Sequence, residues 1–171
     1  MSLEIINAKQ ISPEDFDIRR IAEIECNPEV KKWLTIHVEH DVEKEYQEYK
    51  RFFRELPLNP DVEVLIAKYD GQVAGFIVLW KLGIGMKPTA SIGISVHPDY
   101  WKKGIATQLM KSAIEISREK GFQRLEIETM AENMAMRRVA EKLGFKLETV
   151  RKNSIKKNGS YHDEVVYYLL L

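Results

Sequence analysis

A short segment in the middle of the chain, residues 96–110, constrains the fold more than any other part of the sequence. It reads VHPDYWKKGIATQLM. The apolar run at 91–96 predicts a strand, and Pro98 ends it, because proline cannot donate a hydrogen bond in a central ladder. A helix is predicted from Gly104 to Lys120, where four apolar residues recur at helical spacing: Ile105, Leu109, Ala113 and Ile116. The chain therefore contains a strand, a loop and a helix in direct succession.

The loop before this helix has the properties of an anion-binding site. A helix N-terminus carries about half a positive charge and several unpaired N–H groups, which together bind phosphate. Gly104 lets the backbone approach a ligand, Ala106 does not intrude, and Lys102 and Lys103 add positive charge. The segment is not a Walker loop, because it lacks the G-x-x-x-x-G-K-S/T pattern. The alternative is a plain strand-to-helix connection with two solvated lysines.

The remaining pattern predicts a mixed α/β fold. Helices are predicted at 13–26, 29–35, 41–56 and 133–143, strands at 3–8, 62–69, 72–81, 124–129, 145–153 and 162–171, and a turn at 83–88. An antiparallel meander that leads into a strand–loop–helix–strand unit implies a mixed sheet with helices on both faces. The aromatic stripe at Tyr46, Tyr49 and Phe53 marks a helix face that packs in the core and can also wall a pocket.

Composition excludes several classes of protein. The chain has 171 residues, 26 basic and 26 acidic side chains, and one cysteine, Cys26. We therefore expect one domain, 1–171, without a disulfide, and not a wholly basic nucleic-acid binder. No apolar run of about 18 residues and no secretory signal occur, so we expect a cytoplasmic protein that does not enter a membrane. The four histidines show no metal-ligand spacing, and we expect no metal.

The segment 96–106 resembles motif A of the GCN5-related N-acetyltransferase (GNAT) superfamily, V-x-P-x-x-R/Q-x-x-G-x-G/A. Val96, Pro98, Gly104 and Ala106 match the pattern. Trp101 stands where arginine or glutamine is commonest, and a Tyr-Trp pair there is similar to the branch that acetylates the N-terminal alanine of ribosomal proteins. Lys102 replaces a frequent glycine, which makes a side-chain contact to phosphate possible.

A second match lies downstream, in EIETMAENMAMRRVAEKLGF at 126–145. It resembles the family's motif B, and the matching residues are Asn133, Met136, Val139, Glu141, Lys142, Leu143, Gly144 and Phe145. Two motifs about 30 residues apart are more specific than either alone. The resemblance covers about residues 4–170 and implies the family's mixed, mostly antiparallel seven-stranded sheet.

The resemblance implies acetyl transfer from acetyl-CoA to a primary amine, by direct attack in a ternary complex. It predicts that the strands at 91–96 and 124–129 part and leave backbone groups free to pair with the pantetheine arm. The residues that the resemblance assigns to acetyl-CoA are Ile94, Val96, Trp101, Lys102, Lys103, Gly104, Ile105, Ala106, Thr107 and Asn133. Asn133 is also a natural helix N-cap, and the two roles are compatible.

The catalytic groups are less completely specified. Glu128 lies five residues before Asn133, where N-terminal acetyltransferases of the family often carry a glutamate, and we predict that it accepts the amine proton. The alternative is a surface carboxylate, and Glu126 is the reserve because it shares the same strand face. Ala140 stands where many members have the tyrosine that protonates the leaving thiolate. By residue type alone, the acid could be Tyr161, Tyr167 or Tyr168.

The acceptor amine is predicted from weaker features. Trp101 and the Asn27-Pro28 pair resemble the ribosomal-protein branch, so a protein N-terminus is the first choice and a polyamine or aminoglycoside the second. The helices at 13–57 and the last hairpin would bind it. Two rivals remain, a non-catalytic acyl-CoA sensor and a nucleotide-phosphate binder, and a homodimer stays open.

Charge is unevenly distributed along the chain. Residues 1–100 carry 12 basic and 17 acidic side chains, and residues 101–171 carry 14 and 9, so the net charges are −5 and +5. Chance segregation is one explanation. The other is that the positive part holds the anionic cofactor and the negative part meets a cationic amine.

Overall fold

The computed structural model describes residues 2–36, 41–83 and 87–171. The strands are β1 (Leu3–Asn7), β2 (Val62–Tyr69), β3 (Gln72–Leu82), β4 (Thr89–Val96), β5 (Arg124–Met130), β6 (Lys146–Lys157) and β7 (Ser160–Leu170). The α-helices are α1 (Ile18–Cys26), α2 (Pro28–Lys31), α3 (Val42–Glu55), α4 (Ile105–Glu119) and α5 (Met134–Lys142). Short 3₁₀ turns occupy Ala8–Gln10, Pro13–Asp15, Leu56–Leu58 and Pro98–Tyr100.

All seven strands form one sheet, in the order β1-β2-β3-β4-β5-β7-β6. Neighbouring strands are antiparallel except β4 and β5, which are parallel. Parallel neighbours need a crossover connection, and α4 supplies it between these two strands. The predicted fold class, a mixed and mostly antiparallel seven-stranded sheet with helices on both faces, is confirmed.

Two hydrophobic cores lie on opposite faces of the sheet. On one face α4 and α5 bury apolar residues such as Leu109 and Ala140 against Ile92 and Ile127. On the other face α1 and α3 pack Ile21 and Phe53 against strand residues that include Phe76. Alternate residues of a strand point to opposite faces, so the even-numbered and odd-numbered positions of β4 face different helices.

The N-terminal helix is shorter than the predicted helix at 13–26. Ser12 caps only a 3₁₀ turn, and Phe16 then adopts an extended backbone. Its ring packs edge-on against Phe53, with centroids 4.9 Å apart. The helix starts again after Asp17, whose carboxylate accepts a hydrogen bond from the Arg20 backbone N–H. Burial of the Phe16 ring thus accompanies the break in the predicted helix.

The final hairpin is longer than predicted. Strands β6 and β7 continue to Lys157 and Ser160, because Asn158 and Gly159 both adopt positive φ angles and close a two-residue turn. The predicted turn at 83–88 lies partly outside the described residues, and His37 and His40 lie wholly outside them. Among the described residues, no helix is long and apolar enough to cross a membrane.

Candidate active site

The two parallel strands separate halfway along their length. Their ladder runs from Thr89 opposite Arg124 to Ile92 opposite Ile127, and it stops there. Strand β4 nevertheless continues to Val96 beside β3, and β5 continues to Met130 beside β7. The later residues of β4 and β5 are therefore not paired with each other, which leaves a strand edge able to bond an extended ligand.

A cavity of about 1180 Å³ lies at this separation. It is lined by most of the residues that the sequence assigned to the cofactor and to catalysis, namely Ile94, Val96, Trp101, Lys102, Gly104, Ile105, Ala106, Thr107, Glu128 and Asn133. The lining also includes α1 and α3, which lie on the opposite face of the sheet from α4. The cavity thus connects the two faces through the gap between the strands.

The N-terminus of α4 forms one wall of the cavity. Gly104 occupies the N-cap position with a φ of +78° and has no side chain that could accept a hydrogen bond. The first-turn N–H groups therefore lack a capping side chain as acceptor. Lys102 also adopts a positive φ, +62°, which the loop imposes on a residue other than glycine. Gly104, Ala106 and Thr107 all line the cavity. This arrangement fits an anionic group such as pyrophosphate.

Lys103 and Trp101, two residues of the loop, point in different directions. Lys103 does not line the cavity, and its Nζ lies 5.5 Å from the centroid of the Tyr69 ring. The Lys103 side chain turns toward β2, so of the two lysines it is Lys102 that lines the cavity. Trp101 lines the cavity and its Nε1 donates to the Val96 carbonyl at 2.8 Å, which fastens the loop to the end of β4.

Asn133 stands at the start of α5, beside the cavity. Its Oδ1 accepts from the Met136 backbone N–H at 3.2 Å, as expected for a helix N-cap. Its Nδ2 donates to Thr129 Oγ1 at 3.2 Å. The predicted capping role is thus present, and these two contacts orient a side chain that lines the cavity.

The two strand glutamates of β5 have different surroundings. Glu128 lines the cavity with 36% of its side chain exposed, and Arg151 Nη1 lies 3.3 Å from its Oε1. Arg151 also donates to Glu164 at 2.6 Å, and this hydrogen bond and the charge of Glu128 raise the pKa of the guanidinium. Glu126, the reserve candidate, does not line the cavity and pairs with Arg124 at 3.0 Å.

The tyrosines considered as acids lie away from the cavity. Tyr167 is buried and its hydroxyl donates to Glu141 at 2.7 Å, while Tyr168 stacks under Arg124 and Tyr161 is exposed. None of these three residues lines the cavity. Among the described residues, the tyrosines that do line it are Tyr49 and Tyr100. Ala140, in the position that many family members give to the acid, is buried in the core.

Glu25 and Tyr49 also line the cavity. The sequence analysis assigned Glu25 no role, and it indicated Tyr49 only as part of an aromatic stripe that can wall a pocket. Glu25 is 8% exposed, and it accepts a hydrogen bond from the Tyr49 hydroxyl across the α1–α3 interface. Burial raises the pKa of Glu25 to about 7. A signal was present, because Glu25 follows buried Ile21 by one helical turn and Tyr49 belongs to the aromatic stripe of α3.

Comparison with known proteins places the chain in a family. Residues 20–145 match the sequence model of the acetyltransferase (GNAT) family. The chain belongs to this family. It is therefore an acetyl-CoA-dependent N-acetyltransferase, as motifs A and B predicted.

Relatives of this GNAT chain share its sequence in part and its fold throughout. A candidate ribosomal protein bS18-alanine N-acetyltransferase of Bacillus subtilis (strain 168) is 31% identical over 108 residues, which are 63% of this chain and 70% of the relative. The yncA candidate acetyltransferase of Salmonella typhimurium, whose structure contains acetyl-CoA, superposes with a TM-score of 0.80 at 23% identity over 100% of this chain and 95% of its own. A ribosomal-protein-alanine N-acetyltransferase from Brucella melitensis gives 0.77 at 21% identity, with both chains fully covered.

Proposed function

We propose that this GNAT enzyme acetylates the N-terminal amine of a protein, by direct attack within a ternary complex. The observation that carries the proposal is the cavity that passes between β4 and β5. It has an anion-binding helix N-terminus on one side of the sheet and carboxylates on the other, so a bound thioester and an amine can meet in the gap. The names of the Bacillus subtilis and Brucella melitensis relatives support a protein N-terminus as the acceptor.

Acetyl-CoA would supply the acetyl group as an activated thioester. The first-turn N–H groups of α4, with Lys102, would hold the pyrophosphate, and the unpaired edge of β4 near Val96 would bond the pantetheine arm. A main-chain N–H near Val96 would donate to the thioester carbonyl oxygen as negative charge develops there. The uncapped α4 terminus and the unpaired strand edge both fit this ligand.

The amine must lose a proton before its nitrogen can attack, because an ammonium has no lone pair. Glu128 is our proposed proton acceptor, directly or through one water, since it lines the gap next to the end of the β4–β5 ladder. Arg151, 3.3 Å away, would fix the orientation of this carboxylate. The new bond joins the amine nitrogen to the acetyl carbon, and the carbon–sulfur bond breaks. The nitrogen then loses its second proton, which passes to the departing thiolate directly or through water and gives free CoA thiol.

A second acceptor class is favoured by a separate observation. Three glutamates on α1 and α3, Glu25, Glu45 and Glu48, line the cavity on the side away from α4. Such a wall attracts cationic molecules in general, including polyamines and aminoglycosides.

The test is an acceptor panel with the purified protein and acetyl-CoA. The panel contains hexapeptides that begin with alanine, serine or methionine, together with spermidine and kanamycin, and free thiol is followed with time. We expect the fastest release with the alanine peptide, and N-acetylated peptide by mass spectrometry. Fast release with spermidine or kanamycin alone would replace the protein acceptor with a small-molecule one. Binding of acetyl-CoA without thiol release from any amine would instead indicate a sensor.

A further inference from the structure

The wall of the cavity opposite β5 contains a hydrogen-bonded pair, Glu25 on α1 and Tyr49 on α3. The Tyr49 hydroxyl donates to Glu25 Oε2, and both residues line the cavity. Glu25 is 8% exposed, so little of its carboxylate surface is left to water. Glu45 of α3 is a second hydrogen-bond partner of this carboxyl group. A carboxylate this deeply buried needs such partners, because an unpaired buried charge is costly.

The strand surface on this side of the sheet carries small side chains. Three residues of β4 on the same sheet face as Phe76 are small and line the cavity, namely Ser91, Gly93 and Ser95. A Cβ atom on Gly93 would lie 3.1 Å from the Trp80 ring, so the absent side chain lets the indole lie against the strand. Small residues and an aromatic face leave space for an acceptor next to Glu25, and aromatic faces attract cations.

The charges around the pair are mostly negative. Glu45 and Glu48 face the cavity from α3, and Glu128 faces it from β5. Glu128 has Arg151 as a partner, whereas Lys32, which enters the cavity from the end of α2, is paired with Glu29 at 2.8 Å. Among the described lining residues, β3 and β4 contribute no charged side chain. A cation that entered this side of the cavity would therefore meet the carboxylates of Glu25, Glu45 and Glu48.

We propose that Glu25, held in place by the Tyr49 hydroxyl, binds the acceptor amine in its ammonium form and so selects cationic acceptors. This inference rests on the proposed function only in that the acceptor is an amine. Glu25 binds the amine before it is deprotonated, and Glu128 accepts the proton afterwards. The two carboxylates thus act on different parameters, Glu25 on the KM for the acceptor and Glu128 on kcat.

Binding through Glu25 predicts a particular pH dependence. Burial raises the pKa of Glu25 to about 7. The Tyr49 hydrogen bond opposes that rise, whereas the charge of Glu45 and its hydrogen bond to Glu25 add to it. Only the ionised carboxylate attracts an ammonium, so acceptor affinity should increase as the pH rises through about 7. It should decrease again where the amine loses its own proton. An adjacent ammonium lowers the carboxyl pKa, so binding near pH 7 should release protons.

The experiment compares Glu25→Gln, Tyr49→Phe and the control Glu23→Gln. Glu23 lies on the same helix, pairs with Arg20 on the surface and does not line the cavity. Steady-state kinetics with the alanine hexapeptide and with spermidine are measured from pH 6 to 9, after thermal unfolding has shown that each variant folds. We expect Glu25→Gln to raise the acceptor KM about tenfold or more, with kcat nearly kept, because a charge-assisted contact is lost. Glu23→Gln should match the unaltered protein.

The Tyr49→Phe variant shows whether Glu25 binds the acceptor or only stabilises the fold. It removes the hydrogen bond that lowers the pKa of Glu25, so the pH midpoint of acceptor KM should move upward while affinity above that midpoint returns. A change in stability alone would leave the midpoint in place. An unmoved midpoint, or a Glu25→Gln variant whose acceptor KM is unchanged, would overturn the proposal.

Calorimetry keeps this test apart from the test of the proposed function. The alanine hexapeptide, its desamino analogue and spermidine are titrated into protein loaded with CoA, in buffers of different ionisation heat, so no turnover is needed. We expect the amines to bind more tightly than the desamino peptide, with proton release, and Glu25→Gln to remove both effects. Equal binding of peptide and desamino peptide by the unaltered protein would overturn the role of Glu25, even if the peptide is acetylated. Tight binding without acetylation would contradict only the proposed acceptor.

Discussion

The two ends of the cavity are built in different ways. The end at α4 consists largely of backbone groups: the first-turn N–H groups after Gly104 and the edge of β4 beyond the ladder. The end at α1 and α3 consists of side chains, and its Glu25 and Tyr49 are 24 residues apart in the sequence. A backbone site needs a contiguous stretch of small residues and turns, which leaves a readable motif. A side-chain site can be assembled from distant positions and leaves no such motif.

The two ends of the cavity also differ in charge, but the net charges of the two halves of the chain describe this difference only in part. Lys102 lies at the α4 end and three glutamates lie at the other, which agrees with the halves at +5 and −5. However, Lys103 faces Tyr69, and Arg151 of the positive half pairs with Glu128 on the acceptor side. The charge at each end is therefore set by a few lining residues and their partners, and single substitutions of these residues should separate their contributions.

The largest effect is expected from Glu128→Gln. Loss of a general base typically lowers the rate by about 10²–10⁴-fold. The loss in kcat should be greatest below the pKa of the amine, where most acceptor carries the extra proton, and acetyl-CoA affinity should be kept. The matched control is Glu126→Gln, on the same strand face but paired with Arg124 outside the cavity. The pH–rate profile measures both, and an unchanged profile for Glu128→Gln would remove this residue from the base role.

The α4 end is tested by Ala106→Glu. A carboxylate in the first turn of a helix is favourable for the helix itself, so the fold should be at least as stable. Facing the cavity, however, it would repel pyrophosphate, and we expect acetyl-CoA affinity to fall about 100-fold. Gln108→Glu adds the same charge to the same turn at an exposed position that does not line the cavity. Calorimetric titration should show loss of affinity in the first variant alone, and equal losses in both would contradict anion binding here.

The backbone-built end of the cavity could be predicted from the sequence, and the end built from side chains could not. Motifs A and B located the α4 loop and Asn133, because glycine, proline and cap residues determine backbone conformation locally. The separation of β4 from β5 was also expected and is present in the register. The direction of Lys103, the Arg151–Glu128 pair and the Glu25–Tyr49 contact were not predicted, since they depend on tertiary packing between distant segments. The break at Phe16 has the same origin, a ring contact with Phe53.

A smaller effect should distinguish the two loop lysines. Lys102 lines the cavity and Lys103 does not, although they are neighbours of identical type. Lys102→Ala should weaken acetyl-CoA binding about threefold to tenfold, as expected for one partly screened charge, and reduce its salt dependence. Lys103→Ala should change affinity less than about twofold, because its ammonium lies over the Tyr69 ring. If titrations at low and high salt show equal effects for both lysines, the loop attracts the cofactor only through its summed charge.

The smallest effect on activity is expected from Tyr167→Phe. The Tyr167 hydroxyl donates to Glu141 at 2.7 Å and accepts from Arg137 Nε at 3.0 Å, and burial raises its pKa. Removing it leaves both partners short of a hydrogen bond, so the free energy of unfolding should fall by about 1–2 kcal/mol in urea titrations. The rate of thiol release should stay unchanged, because this hydroxyl does not line the cavity. A large fall in kcat at constant stability would show instead that the proton for the leaving thiolate comes through β7, on the α5 face of the sheet.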